Sequence, residues 1–171
     1  MRPAHLLVLA AIAALPALAQ PRPVPLPDWK AWEPLLGEWK ADPGGKGDPT
    51  GGFTLSRELG GRVLVRHNHA EYPRTEARAA FTHRDLLVVS REGEATRADY
   101  WDDEGHVIHY RATEADGALV LVSEAVDGQP RFRFTYRLTG PGALRIAFEI
   151  APPGKPEGFQ PYLEATAHRL K

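Results

Sequence analysis

Between Gly37 and Lys171, short apolar and polar runs alternate, and Gly, Pro, Asp or Asn breaks them about every ten residues. No stretch in this region has the longer apolar period of an amphipathic helix. The pattern therefore predicts an all-β fold of short antiparallel strands. A meander of this length leaves unpaired backbone groups at both edges unless it closes on itself. We accordingly expect a single up-and-down antiparallel β-barrel.

The alternation and the turn residues between the runs predict ten strands. Two segments stay open, because 46–51 is a Gly-rich loop and 73–84 fits a loop, one helical turn or a strand extension. The strands are expected at Gly37–Ala41, Gly52–Leu59, Arg62–Tyr72, Asp85–Arg91, Ala95–Asp102, His106–Thr113, Ala118–Glu124, Arg131–Leu138, Ala143–Ile150 and Tyr162–Leu170.

The clearest period of two lies in Arg131–Leu138, where aromatic residues alternate with arginines, and Ala143–Ile150 repeats it with aliphatic residues and Phe148. Successive residues of a strand point to opposite faces. We therefore expect the aromatic face to form the core or the wall of a cavity. The predicted ligand-binding residues are Phe132, Phe134, Tyr136, Phe148, Tyr100 and Tyr110.

The N-terminal residues have the features of a secretory signal peptide. A positive charge at Arg2 precedes ten apolar residues from Leu6 to Leu15, and a small-x-small site ends at Ala19, before Gln20. We expect residues 1–19 to be removed near Ala19/Gln20 and the chain to be periplasmic or secreted. The apolar run is too short for a membrane span. A retained N-terminal anchor is the alternative.

Residues 20–34 connect the predicted signal peptide to the first strand of the barrel. Residues 20–27 have Pro at every second position, which predicts a stiff, extended leader. Asp28 is expected to cap a short helix that runs to Glu33 and is stopped by Pro34. Trp29 and Trp32 share one face of that helix, so it is predicted to plug one end of the barrel. The predicted organisation is a signal peptide at 1–19, a leader at 20–27 and one barrel domain at 28–171.

Composition narrows the range of partners and chemistries. The chain has 21 Lys and Arg, 22 Asp and Glu, and no Cys. Loss of residues 1–19 removes one arginine and no acid, which leaves a net charge of −2. This balance, without a basic run, argues against a nucleic-acid or anionic-membrane partner. The absence of Cys excludes disulfides and thiol chemistry.

A family resemblance begins where the plug meets the first strand, at Gly37-Glu38-Trp39. A Gly-x-Trp signal followed by a ten-strand meander resembles the calycin-type barrels: lipocalins, fatty-acid-binding proteins and nitrobindin-like haem barrels. Tyr100–Tyr110 and Phe148–Pro156 also resemble segments of uncharacterised secreted bacterial proteins. The resemblance implies a small hydrophobic ligand. Nitrobindin-like barrels hold haem through a histidine near the chain end, which here matches His168.

Histidines provide the candidate metal ligands. His67 and His69 are two apart on a predicted strand and therefore share a face, with Glu71 on the same side. The spacing from Gly61 partly matches the first metal-binding motif of the cupins, but the second motif is missing. The alternatives are a half-polar barrel lining or a solvent-facing pair.

Other chemical motifs are weaker. His83-Arg84-Asp85 matches a kinase tripeptide in a chain that lacks the Gly-rich loop and lysine of phosphoryl transfer. There is no Gly-x-Ser-x-Gly elbow for a serine hydrolase. Asp103-Glu104-Gly105 follows Asp99 and Asp102 and is interpreted as a turn rather than as a catalytic acid pair.

These observations favour an exported, soluble barrel that binds a small hydrophobic or planar molecule. The alternatives are a filled barrel with an envelope or protein-interaction role, and a haem- or metal-dependent enzyme. We favour a protein that is not an enzyme, and neither haem nor a divalent metal is expected as cofactor. The Pro- and Gly-rich segment 151–161, with Phe159, is a candidate lid over the barrel mouth.

Overall fold

The computed structural model describes residues 24–42, 44–45 and 48–170. Ten antiparallel strands form a closed barrel in which sequence neighbours pair and the last strand pairs with the first. This confirms the predicted all-β, up-and-down barrel. The strands are β1 Gly37–Ala41, β2 Thr50–Glu58, β3 Val63–Tyr72, β4 Phe81–Glu92, β5 Ala95–Asp102, β6 Val107–Ala115, β7 Ala118–Ser123, β8 Arg131–Gly140, β9 Ala143–Ala151 and β10 Gln160–Arg169.

Two local predictions change. The segment left open at 73–84 divides into a loop at 73–80 and the beginning of β4 at Phe81. The expected short helix stopped by Pro34 is wrong, since the segment forms a 3-10 turn at Glu33–Leu35 that contains this proline. Proline needs no amide partner in a first turn, so Pro34 fits as the second residue of this turn rather than stopping a longer helix. Asp28 accepts a hydrogen bond from the amide of Lys30 at 2.9 Å.

This N-terminal segment closes one end of the barrel, as predicted for the plug. Trp29, Trp32 and Leu35 are buried in the hydrophobic core. The indole Nε1 of Trp29 donates to the carbonyl of Gly61 at 2.8 Å, and that of Trp39 donates to the carbonyl of Leu35 at 2.9 Å. Both indoles are therefore satisfied where they are buried, and they tie the plug to β1 and to the β2–β3 turn.

The two ends of the barrel differ in their connections. At the plugged end the strands are joined by the short segments 59–62, 93–94, 116–117 and 141–142. The other end, called here the open end, carries the longer segments 42–49, 73–80, 124–130 and 152–159, together with the turn 103–106. Functional groups are more often placed on such longer connections, supported by a rigid sheet.

The inward-facing side chains divide into two halves along the barrel axis. Paired residues on neighbouring strands share a face, so the register identifies the lumen side of every strand. Toward the plug the lumen side is mostly buried, as at Leu64, Val89, Ala98, Leu121 and Leu144, although Leu138 near the end of β8 is 39% exposed. Toward the open end the lumen side is only half-buried, as at Asn68, Tyr100, Phe134, Phe148 and Leu163.

The predicted signal peptide at 1–19 and residues 20–23 of the predicted leader lie outside the described residues. Residues 24–27 form no regular secondary structure, and the carbonyl of Val24 accepts a hydrogen bond from Arg62 Nη2 at 3.1 Å. In the part of the chain that the structure describes, no helix has the length and apolarity needed to cross a membrane.

Candidate functional site

The six aromatic residues predicted to bind a ligand all lie on the lumen side of their strands. Phe132 and Phe148 stack with ring centroids 5.9 Å apart and planes 9° apart. Phe134 is tilted against Tyr136 at 4.9 Å and against Phe148 at 5.9 Å. These four rings form a continuous aromatic wall on β8 and β9. Their role in binding stays a prediction.

Small residues face the lumen on the neighbouring part of the barrel. Toward the open end of β10, β1, β2 and β3, the lumen side carries Ala165, Ala41, Gly51 and Ala70, all half-buried. Side chains this short cannot reach across a barrel of ten strands. The lumen side of the open half is therefore lined by large aromatic side chains on β8 and β9 and by small residues on β10, β1, β2 and β3.

A polar network lies on the inner wall between the packed half and the open half. Arg66 donates through Nη1 to the hydroxyl of Tyr136 and through Nη2 to Oδ1 of Asp85. Asn68 Nδ2 donates to the other oxygen of Asp85 at 2.8 Å. The guanidinium carbon of Arg66 is 5.2 Å from the ring centroid of Phe134. The buried cation is thus paired with a carboxylate and packed against the aromatic wall.

The network is arranged so that its charges balance. Burial raises the pKa of Tyr136, Tyr100 and Tyr110 above the ordinary value of tyrosine, so these hydroxyls stay protonated. Burial lowers the pKa of Arg66, but Tyr136 and Asp85 raise it more, and the net pKa lies above its ordinary value. Among the described residues Arg66 Nε has no hydrogen-bond partner, so one buried donor of the network stays unsatisfied.

His83 extends this network to the open end. Its Nε2 is 3.3 Å from the hydroxyl of Tyr100 and 3.4 Å from Oδ2 of Asp85. Tyr100 in turn donates to Oδ2 of Asp102 at 3.1 Å. Partial burial raises the pKa of Asp102. Hydrogen bonds from the backbone and ring of His106 and from Tyr100 lower this pKa by more, so that it lies below the ordinary value.

The predicted metal pair lies elsewhere. His67 and His69 are exposed and share the outer face of β3, where a shallow groove of about 520 Å³ also contacts Thr54, Leu86 and Trp101. This confirms that the pair shares a face but places it outside the lumen. Among the described residues, no group of three potential metal ligands includes either histidine.

The proposed haem ligand also faces outward. His168 Nδ1 is 2.6 Å from Oδ1 of Asp42, and both side chains are nearly half exposed. Hydrogen bonds from His168 and Thr166 lower the pKa of Asp42. Because the ring of His168 lies on the outer face of β10, it does not suit a haem enclosed by the barrel, and haem does not enter the proposal below.

The candidate lid packs on the outside. Phe159 lies under two arginines of the outer face of β8, with its ring centroid 4.3 Å from the guanidinium carbon of Arg133 and 5.9 Å from that of Arg131. Arg133 also forms a two-point ion pair with Glu149 on β9. The aromatic residue expected over the mouth is therefore held against the outer wall.

The sequence interpretation missed the polar network. Arg66 and Asn68 are two and four residues after Leu64 on β3 and therefore lie on the same, lumen-facing side. Strand pairing places Asp85 of β4 opposite Asn68. The sequence of β3 does not show this, because both of its faces carry polar residues. Predicting this network requires the register between β3 and β4, which a single sequence does not provide.

Comparison of the chain with protein-family models and with curated proteins finds no match. The site is therefore judged on its geometry.

Proposed function

We propose that this protein is an exported barrel that binds one small, neutral, largely apolar or planar molecule in the open half of its lumen. The observation that carries the proposal is the partial exposure of Phe134, Phe148 and Tyr100, which all face inward. In a closed barrel an inward-facing side chain at mid-strand is reached by solvent only through the lumen. The resemblance to calycin-type barrels supports the same function.

The packed half supplies enough hydrophobic core to keep the barrel stable when the other half is left open. Eight strands already give an interior that side chains just fill or that holds one small ligand, and ten strands give a wider one. Here the half next to the plug is filled by large side chains such as Trp39, Leu121 and Leu144, which are almost completely buried. The fold can therefore leave the other half open without losing its core.

The chemistry of the walls indicates the kind of ligand. Stacked and tilted rings on β8 and β9 offer flat apolar surfaces, which favour a planar or apolar body. Because Asp85 already neutralises Arg66, the wall carries no uncompensated charge here, and a neutral ligand fits better than a carboxylate.

The competing proposal is a filled barrel with an envelope or protein-interaction role. The packed half fits either function, whereas the partly exposed inner wall favours a ligand. Export to the periplasm or the exterior is part of our proposal and rests on the signal-peptide features of residues 1–19.

Native mass spectrometry of the chain purified after export tests the proposal. We expect a single small-molecule adduct per chain, lost on denaturation and restored by adding the extracted compound. A chain with no adduct that also takes up no neutral aromatic probe would contradict ligand binding and favour the filled barrel. Sequencing the N-terminus of the same sample tests cleavage near Gln20.

A further inference from the structure

Three potential metal ligands converge at the open end. His83 lies near the beginning of β4, and Asp103 and Glu104 form the β5–β6 turn. His83 Nδ1 is 3.2 Å from Oε1 of Glu104 and 3.8 Å from Oδ1 of Asp103. One ligand atom from each residue lies within 4.8 Å of the other two.

The groups around His83 indicate which of its two ring nitrogens carries the proton. Its Nε2 faces Asp85, a carboxylate, and the oxygen of Tyr100, whose only proton goes to Asp102. Both neighbours therefore accept hydrogen bonds, and Nε2 carries the proton. In the neutral ring Nδ1 then holds a lone pair. This lone pair points toward the carboxylates of Glu104 and Asp103.

Three electron-pair donors that face one another favour a positive charge between them. A proton on Nδ1 serves Glu104 alone, because Oδ1 of Asp103 is 3.8 Å away, beyond hydrogen-bond distance. A divalent cation satisfies all three ligands and balances the two carboxylate charges. Neighbouring ligands of a tetrahedral Zn²⁺ with bonds of about 2.0–2.2 Å are about 3.3–3.6 Å apart, close to the 3.2 Å and 3.8 Å that separate His83 Nδ1 from the two carboxylates.

Supporting contacts hold the ligands in place. Asp85, whose side chain is only 5% exposed, is fixed by Arg66 and Asn68 and lies behind the ring of His83. A carboxylate behind a ligating histidine is the usual arrangement at metal centres, because it fixes the ring and raises its basicity. Asp102 accepts hydrogen bonds from the amides of Glu104 and His106 and so shapes the turn.

We propose that His83, Asp103 and Glu104 bind a divalent transition-metal ion at the barrel mouth, through one nitrogen and two carboxylates. Such a mixed set suits Zn²⁺ better than Mg²⁺ or Ca²⁺, which prefer oxygen alone. Three protein ligands leave a further coordination position open to solvent. The site differs from the histidine pair of the outer groove, and it stands or falls independently of ligand binding in the lumen.

Calorimetric titration of the EDTA-treated, dialysed full chain with ZnCl₂ tests this proposal. We expect one Zn²⁺ per chain, at least tenfold weaker binding in Asp103→Asn and in Glu104→Gln, and none measurable in His83→Gln. The matched control, His67→Ala/His69→Ala, removes two histidines from the outer face and should bind as the wild type does.

The turn variants decide the test even if His83→Gln fails to fold, because Asp103 and Glu104 are exposed and circular dichroism can confirm that these variants are native. Absence of saturable Zn²⁺ binding by the wild type would overturn the proposal and leave a protonated His83 paired with Glu104. Wild-type affinity in an Asp103→Asn/Glu104→Gln chain, or loss of binding in the control, would also overturn it.

Discussion

Arg169 on the last strand pairs directly with Trp39 on the first, and its guanidinium carbon is 4.7 Å from the tryptophan ring centroid. The same guanidinium donates through Nη1 to the carbonyl of Leu36 and through Nη2 to that of Pro34. One side chain thus joins the two strands that close the barrel to the plug that covers its end. This contact spans nearly the whole folded chain.

Replacing Arg169 should therefore destabilise the barrel more than replacing an arginine on its wall. Arg169→Met keeps an apolar contact with Trp39 but leaves two carbonyls without their donors, and should cost about 2 kcal/mol in the free energy of unfolding. Arg145→Met, which removes an exposed ion pair with Glu164, should cost no more than about 0.5 kcal/mol. Urea denaturation measures both, and equal losses would contradict the role of Arg169.

The difference between the two barrel halves predicts different costs for core truncation. Leu144 is 1% exposed in the packed half, so Leu144→Ala should cost about 2–5 kcal/mol. Phe148 on the lumen side of β9 is only partly buried, and Phe148→Ala should cost about 1–2 kcal/mol, less than the roughly 3–5 kcal/mol of a packed phenylalanine. Guanidinium denaturation checks the order of the two. A larger loss at Phe148 would mean that the lumen is filled there.

The alternation of apolar and polar residues was sufficient to predict the barrel fold, but not to predict which polar residues face its interior. In Arg131–Leu138 the register places Phe132, Phe134 and Tyr136 on the lumen side, so the period of two identifies the faces correctly. In β3 the lumen side carries Leu64, Arg66 and Asn68, while the outer side carries His67, so polarity does not distinguish the faces. The sequence predicts that His67 and His69 share one face of β3, but it does not tell whether this face is the lumen side or the outer side.

The candidate site was also hidden by distance along the chain. Arg66 and Tyr136 are 70 residues apart, and His83 and Glu104 are 21 apart. Such partners meet only once the strand register is fixed. The aromatic wall was easier to predict, because it lies on two consecutive strands joined by a tight turn.

Breaking the buried ion pair should be costly. Asp85→Asn leaves the charge of Arg66 without its carboxylate in a buried position, which should cost about 3–5 kcal/mol. Asp99→Asn is the matched control, since Asp99 pairs with the exposed His109 on the outer face, and should cost less than about 1 kcal/mol. Thermal unfolding measures both variants. A mild effect at Asp85 would show that water reaches and solvates Arg66.

The stability should also depend on pH through Glu149. Hydrogen bonds from Arg133, helped by its charge, hold the pKa of Glu149 below its ordinary value. A lowered pKa in the folded state stabilises the protein above the ordinary pKa of glutamate, and this contribution is lost as pH falls through the folded-state pKa.

Glu149→Gln should therefore be less stable than the wild type by about 1 kcal/mol at pH 7, and the difference should vanish in strong acid. Urea midpoints measured from pH 7 down to pH 3 give this comparison. Glu164→Gln, at an exposed carboxylate on the same face, is the control and should follow the wild type closely. A difference for Glu149→Gln that does not change with pH would contradict the assignment.

The most direct test of an open, ligand-binding lumen is to fill it. Ala165 faces the lumen on β10 opposite Ile146, whereas Ala147 on β9 faces outward beside Thr135. Fluorescence titration with the neutral probe N-phenyl-1-naphthylamine compares Ala165→Phe with Ala147→Phe. We expect saturable binding of one probe per wild-type chain, at least tenfold weaker binding in Ala165→Phe, and no change in Ala147→Phe. No saturable binding by the wild type, or equal binding by the two variants, would contradict the account.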